Sequence, residues 1–278
     1  MEVLKADFKD PSAPKRFCHS LQQTGFAVVS NHPIKKSLID DVYQEWKDFF
    51  NSPAKKNYTF QKSDQAGYFP FGMENAKGSD LKDLKEFFHI YEGKVYPTEL
   101  SNKSIELRNQ LYDLGSILLK WIQEETPEEI RTAYSCPLHE MIQDSEKNLF
   151  RIIHYPPLDG SEEEGAIRAA AHEDINLITL LPASTASGLE VLDLNSNWHA
   201  VPGDFGDIVV NVGDMLQMAS GGFYKSTTHR VVNPKAEVSK TSRYSMPLFL
   251  HPRPEVRLSK EHTAESYLDE RLKEIGLK

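Results

Sequence analysis

His172-Glu173-Asp174-Ile175-Asn176-Leu177-Ile178-Thr179-Leu180-Leu181 is the stretch on which the reading of this chain turns. A polar tripeptide leads into an apolar run rich in β-branched residues, the composition of a buried strand. In an extended strand residues i and i+2 project to the same face, so His172 and Asp174 share one side and Glu173 takes the other. Asp174 then stands at the head of an apolar strand over Ile175–Leu181. A carboxylate there is costly unless a cation or hydrogen bonds neutralise it. A second histidine, His229, opens another strand-like run, Ser226-Thr227-Thr228-His229-Arg230-Val231-Val232. Two imidazoles and one carboxylate can occupy a triangular face of an octahedral metal, which leaves three positions for small molecules.

Outward from this stretch the pattern repeats. Short strands are expected at Phe150–Tyr155, Ile175–Leu181, Gly188–Leu194, Asp207–Val212, His229–Val232 and Arg243–Leu250. Turn residues separate them: Pro156-Pro157, Asn195-Ser196-Asn197, Pro202-Gly203-Asp204, Gly221-Gly222 and Asn233-Pro234. Many short strands so punctuated predict a β-sandwich or jelly roll. The first part reads differently. From Ile34 to Ser52, Ile39, Val42, Tyr43, Trp46, Phe49 and Phe50 recur at helical spacing, with Ser37 as the expected N-cap and Pro53 beyond the end. Further helices are expected over Ser12–Gln23, Ser104–Glu124 and Thr263–Ile275, with a strand at Phe26–Val29. The expected architecture is mainly β with flanking α-helices. Residues 1–125 form a helical and strand region that shapes a substrate pocket, 148–255 the jelly-roll core and 256–278 a C-terminal helical extension, all one structural unit.

A net charge of −9, with no run of Lys or Arg to neutralise phosphates, argues against a nucleic-acid partner. The two cysteines, Cys18 and Cys136, suit free thiols in a reducing compartment and lack zinc-finger spacing. No stretch is apolar enough for a membrane span or a leader peptide. A cytoplasmic protein acting on a small molecule, without an obligate protein partner, is expected.

The strand-parity argument extends to two other places. Arg243 and Ser245 share one face, while Tyr244 and Met246 take the other. A guanidinium offers a rigid donor fork to a carboxylate, and a nearby hydroxyl adds a third donor. Arg151, Ile153 and Tyr155 likewise share a face, so Arg151 and Tyr155 are expected to reach the same cavity. Arg243 as a structural ion-pair residue is the competing expectation, and the same holds for Arg151.

Several segments together resemble the isopenicillin-N-synthase-like branch of the Fe(II)/2-oxoglutarate-dependent oxygenases. They are Thr24-Gly25-Phe26-Ala27-Val28-Val29-Ser30-Asn31-His32, Gly67-Tyr68-Phe69-Pro70 through Asp83-Leu84-Lys85-Glu86-Phe87-Phe88, His172-Glu173-Asp174, Gly188-Leu189-Glu190-Val191-Leu192, Asn211-Val212-Gly213-Asp214, Lys225 to Val231, and Arg243-Tyr244-Ser245. The similarity runs from about residue 20 to 255, and its ordered combination is specific. It implies a double-stranded β-helix (a cupin-like jelly roll), with His172, Asp174 and His229 as Fe(II) ligands. It assigns Arg243 and Ser245 to the distal carboxylate of 2-oxoglutarate, and Tyr155 to the same co-substrate. Ile153 stands where the family commonly has Asn, so one co-substrate hydrogen bond is missing and Arg151 could replace it. Asn31-His32 and Asn211–Asp214 are read as structural turns.

The resemblance further implies a dioxygenase that uses O2 and oxidises, usually by hydroxylation, a C–H bond of a small molecule, with succinate and CO2 as co-products. Arg151 hints at an amino-acid-like substrate. Tyr68, Phe69, Phe71, Phe88 and Arg151 are the candidate pocket residues. Two rivals remain. One is an oxidase of the same fold that works without 2-oxoglutarate, by cyclisation or fragmentation. The other is a non-catalytic jelly-roll module with a structural metal, disfavoured because closed zinc sites draw on four, mostly cysteine-rich, ligands.

Overall fold

Three long amphipathic helices cover one side of a large sheet, and a small sheet covers the other. The structure, a computed structural model, describes residues 1–61, 65–74, 81–234 and 240–274. The first part contains β1 (Lys5–Asp7), α1 (Ala13–Thr24), β2 (Phe26–Ser30), α2 (Lys36–Asn51), β3 (Gly67–Phe69), β4 (Glu86–Ile90) and α3 (Lys103–Glu125). Two single-turn helices, α4 (Glu128–Arg131) and α5 (Leu138–Met141), lead into β5 (Leu149–Tyr155), β6 (Ala169–His172), β7 (Ile178–Pro182), β8 (Leu189–Leu192), β9 (Trp198–Ala200) and β10 (Ile208–Val212). After α6 (Asp214–Ala219) come β11 (His229–Val231), β12 (Arg243–Ser245), β13 (Leu248–Leu250) and α7 (Ala264–Glu274).

The larger sheet runs β1-β2-β10-β7-β13-β5-β4-β3, with β12 also paired to β5, and the smaller runs β6-β11-β8-β9. Among the named strands of the described residues, only β1 and β2 pair in parallel. The helix-side core collects Trp46, Phe49 and Phe50 of α2, Leu111, Leu114 and Leu118 of α3, and Phe88, Phe150, Leu180 and Leu248 of the sheet. Two smaller apolar clusters bridge the sheets. Phe69, Phe87, Ile153 and Tyr155 meet Ala169 and Val231 in one; Phe26, Val28 and Val209 meet Val191 in the other. The result is a jelly roll of two facing sheets, with the N-terminal strands extending the larger sheet at both edges.

The amphipathic helices lie where their periodicity predicts, within a residue or two. Ser37 does not cap α2: the helix begins at Lys36 after Lys35, and no side chain caps it. The expected end of the last helix at Ile275 lies outside the described residues, as does 75–80 of the expected substrate-side loop. The strand expected over Arg243–Leu250 is interrupted at Met246-Pro247, where proline has no N–H to give the ladder. Its register is nonetheless unbroken, because Ser245 faces Ile153 and Leu248 faces Phe150, and Arg151 still donates to the Pro247 carbonyl at 3.0 Å. The strand expected over Ile175–Leu181 starts only at Ile178. Asp174 therefore sits on the loop between β6 and β7, not at the head of a strand.

Candidate active site

His172 ends β6 and His229 begins β11, and the two are directly paired across the smaller sheet. Their rings lie 4.5 Å apart. Asp174 turns back towards both: its Oδ1 is 3.9 Å from His172 Nε2 and 3.8 Å from His229 Nε2. One donor atom from each residue falls within 4.8 Å of the others, a spacing that could hold a metal ion. The expected convergence of His172, Asp174 and His229 is thus present, although the parity argument for Asp174 used a strand that ends at His172. Glu173 is exposed and accepts a hydrogen bond from the Thr228 hydroxyl, away from the three donors.

The surroundings fix each donor. His172 Nδ1 is 2.7 Å from the Ala170 carbonyl and His229 Nδ1 is 3.1 Å from the Thr227 carbonyl. Each Nδ1 must carry its proton to make that bond, so each Nε2 keeps a lone pair for a metal. Asp174 Oδ2 accepts from Thr179 Oγ1 at 2.5 Å and from Asn211 Nδ2 at 2.8 Å, which leaves Oδ1 for the histidines. Burial works against its ionised form, but the two histidines and these two hydrogen bonds bring the carboxyl below its usual range. Burial and the neighbouring His229 keep His172 neutral to lower pH than usual. Two imidazoles with free Nε2 atoms and one buried carboxylate form a donor set suited to Fe(II).

The loop bearing Asp174 is clamped from behind. Asp214 N–H donates to the Asp174 carbonyl at 2.7 Å and Met215 N–H to the Asn176 carbonyl at 3.0 Å. A Cβ at Gly213 would lie 2.2 Å from the Asn176 carbonyl oxygen, so only glycine allows this approach. Asn211, expected as part of a structural turn, is instead a buried residue of β10 that holds the far oxygen of the Asp174 carboxylate in place.

A second polar group lies on the larger sheet. Arg243 of β12 pairs with Tyr155 of β5, and its guanidinium stands 5.0 Å from the centre of the Tyr155 ring. It is 2% exposed. Its Nε donates to the Ala186 carbonyl at 3.0 Å and one terminal nitrogen to Ser184 Oγ at 2.7 Å, while Nη1 has no partner. Ser245 Oγ lies 3.2 Å from Ser184 Oγ. Among the described residues no carboxylate pairs with Arg243, so the structural ion pair expected as the alternative is not formed. A buried guanidinium with an unused donor suits an anionic ligand.

Arg151 points to the expected face, over the Phe87 ring at 4.6 Å. Its guanidinium, however, is engaged by the protein: Nε donates to His89 Nε2 at 2.8 Å, and the terminal nitrogens meet Glu74 at 3.2 and 3.4 Å. Lys85 completes the group, 2.7 Å from Glu74 and 2.8 Å from Asp83. Burial and the charge of Arg151 keep His89 neutral. The remaining pocket candidates divide. Phe69 lies in the cluster between the sheets, stacked on Phe87 at 4.5 Å and on Phe60 at 3.9 Å. Tyr68 and Phe88 point the opposite way, into the helix-side core, because β3 and β4 alternate faces. Tyr68 donates there to Glu86. Phe71 is 52% exposed. Ile153 packs between the sheets and offers no hydrogen bond. Sequence reasoning missed Thr179 and Ser184 and assigned Asn211 to a turn; their place as polar residues inside apolar strand runs was the available signal for Thr179 and Asn211.

Comparison with known proteins follows the same outline. The family model described as the 2OG-Fe(II) oxygenase superfamily matches residues 146–252, and that of the non-haem dioxygenase in morphine synthesis N-terminal region matches residues 4–112. A crystal structure from Shewanella oneidensis, assigned as an oxygenase, is 47% identical, covers 100% of both chains and superposes with a TM-score of 0.91. One from Caulobacter crescentus, assigned to the 2OG-Fe(II) oxygenase family, is 31% identical over 98% of this chain and 99% of its own, with a TM-score of 0.82. A proline hydroxylase of Petromyces alliaceus is 29% identical over 91% of this chain and 88% of its own length.

Proposed function

The chain belongs to the 2OG-Fe(II) oxygenase superfamily and is a non-haem dioxygenase dependent on Fe(II), 2-oxoglutarate and O2; from that premise we propose that it hydroxylates a small molecule at the centre formed by His172, Asp174 and His229. The single observation that carries this reading is the convergence of their three donor atoms, each imidazole held by a backbone carbonyl so that its Nε2 is free. When bound there, iron supplies the O2-dependent oxidation of a C–H bond, coupled to conversion of 2-oxoglutarate to succinate and CO2.

The chain's own residues orient and shield. Arg243, with Ser245 and Tyr155 beside it, takes the distal carboxylate of 2-oxoglutarate; the support is its burial and its unpartnered Nη1. The aromatic wall of Phe60, Phe69 and Phe87 excludes water on the substrate side and presents an apolar face to the substrate. Because Glu74 and His89 occupy the guanidinium of Arg151, an amino-acid carboxylate is not its required partner, and the substrate class is left at small organic molecules. The free thiols Cys18 and Cys136 support a reducing, cytoplasmic setting.

The test is anaerobic titration of the Fe(II)-loaded protein with 2-oxoglutarate, followed by the visible band of a chelated keto acid. Arg243→Ala should raise the concentration needed by about tenfold or more, the size of a charge-assisted contact to a desolvated carboxylate. An unchanged titration in Arg243→Ala, together with O2 uptake that needs no 2-oxoglutarate, would favour the rival oxidase.

A further inference from the structure

A second buried guanidinium lies beside the first. Arg168 immediately precedes β6, the strand that carries His172, and is 1% exposed. One terminal nitrogen donates to the Thr241 carbonyl at 3.0 Å, two residues before Arg243, while Nε has no partner. Its guanidinium carbon lies 5.9 Å from the centre of the Tyr155 ring, the same ring that Arg243 faces at 5.0 Å. Among the described residues neither cation has a carboxylate partner.

Two cations buried around one ring, each with an unused donor, repel one another and gain nothing from solvent. Burial and the nearby Arg243 charge both push the Arg168 guanidinium below its ordinary value. Such a pair is stable only if further acceptors or an anion meet it. A lone anchoring arginine would already suffice to place a carboxylate, so the second adds selectivity for a ligand that carries negative charge at this end.

We propose that Arg168 is a second positioning residue for the distal carboxylate of the keto-acid co-substrate, acting with Arg243 to select dicarboxylic over monocarboxylic 2-oxo acids. This rests on the placement of 2-oxoglutarate at Arg243. Arg168 lies on the smaller sheet side and Arg243 on the larger, so the carboxylate is gripped from both sides of the jelly roll. Neither residue touches the reacting atoms; both set where the keto acid lies relative to the metal centre.

The experiment measures, by anaerobic calorimetry on the Fe(II)-loaded protein, the affinities for 2-oxoglutarate and for 2-oxopentanoate, which has a methyl group in place of the distal carboxylate. Arg168→Met should cut the preference for 2-oxoglutarate by about tenfold, the weight of one charge-assisted contact, with 2-oxopentanoate affinity unchanged. Arg168→Lys should recover part of the preference, and it carries the same test if Arg168→Met does not fold. Equal weakening of both keto acids would overturn the inference, since it would mark a purely structural role. An unchanged preference in the Arg168 variants with loss in Arg243→Ala would overturn it alone, whereas an unchanged preference in Arg243→Ala would overturn the placement of 2-oxoglutarate on which it rests.

Discussion

Replacing Asn211 by alanine removes one of two hydrogen bonds that hold the far oxygen of Asp174. The bond is 2.8 Å long and lies among residues no more than 7% exposed, so water cannot replace it without entering the sheet. A hydrogen bond to a buried charged group contributes about 1.5–3 kcal/mol. Thr179 still holds the same oxygen at 2.5 Å, so the carboxylate stays ionised but gains freedom to rotate. Loss of such an outer partner typically weakens a metal site by about tenfold to a hundredfold. Equilibrium metal titration under anaerobic conditions should therefore show a weaker Fe(II) constant for Asn211→Ala by that factor. Glu173→Ala, which removes a nearer carboxylate in sequence, should leave the constant unchanged, because Glu173 bonds to Thr228 and faces away. Wild-type Fe(II) affinity in Asn211→Ala would refute the argument that Asp174 is oriented from behind. Equal loss in Glu173→Ala would show that the wrong carboxylate was assigned.

Two further outcomes follow from the inner and outer faces of β4 and β5. Burial raises the Glu74 carboxyl, but Arg151 and Lys85 outweigh it and hold it well below the usual range. A depressed folded value contributes stability that is present above the unfolded value and is lost as pH falls through the folded one. In Arg151→Leu the Glu74 carboxyl moves up, so acid unfolding should begin at higher pH than in the wild type; superimposable pH–stability curves would refute the pairing. Phe88→Ala should cost about 3–5 kcal/mol of stability, as large-to-small changes in a packed core do, while the substrate KM stays unchanged. A changed KM at unchanged stability would place Phe88 in the pocket after all.

The helices were legible because each buries one stripe: Trp46, Phe49 and Phe50 recur at helical spacing and pack where that spacing puts them. The faces of β5 and β12 were legible for the same reason, since Tyr244 packs in the helix-side core while Arg243 turns to Tyr155. Three-residue strands such as β1 and β9 are too short to leave a period of two. The position of Asp174 depends on contacts from Asp214 and Gly213, almost forty residues away in sequence, which local pattern does not encode. Tyr68 and Phe88 were misplaced for a related reason. An aromatic run such as Phe87-Phe88 names both faces of a strand equally, and only the pairing of β4 with β5 decides which one looks between the sheets.

The two ends of the site come from separate stretches of chain. The metal donors and the buried arginines lie between Arg168 and Ser245, whereas the aromatic wall of Phe60, Phe69 and Phe87 is supplied by an N-terminal segment that joins the larger sheet at the β4 edge. On the proposed reading, substitutions at Phe60, Phe69 and Phe87 change the surface offered to the substrate while His172, Asp174 and His229, on other segments, keep their places. Selectivity can then diverge at these three rings while the oxidising centre is kept, which makes Phe60, Phe69 and Phe87 the places to redesign it.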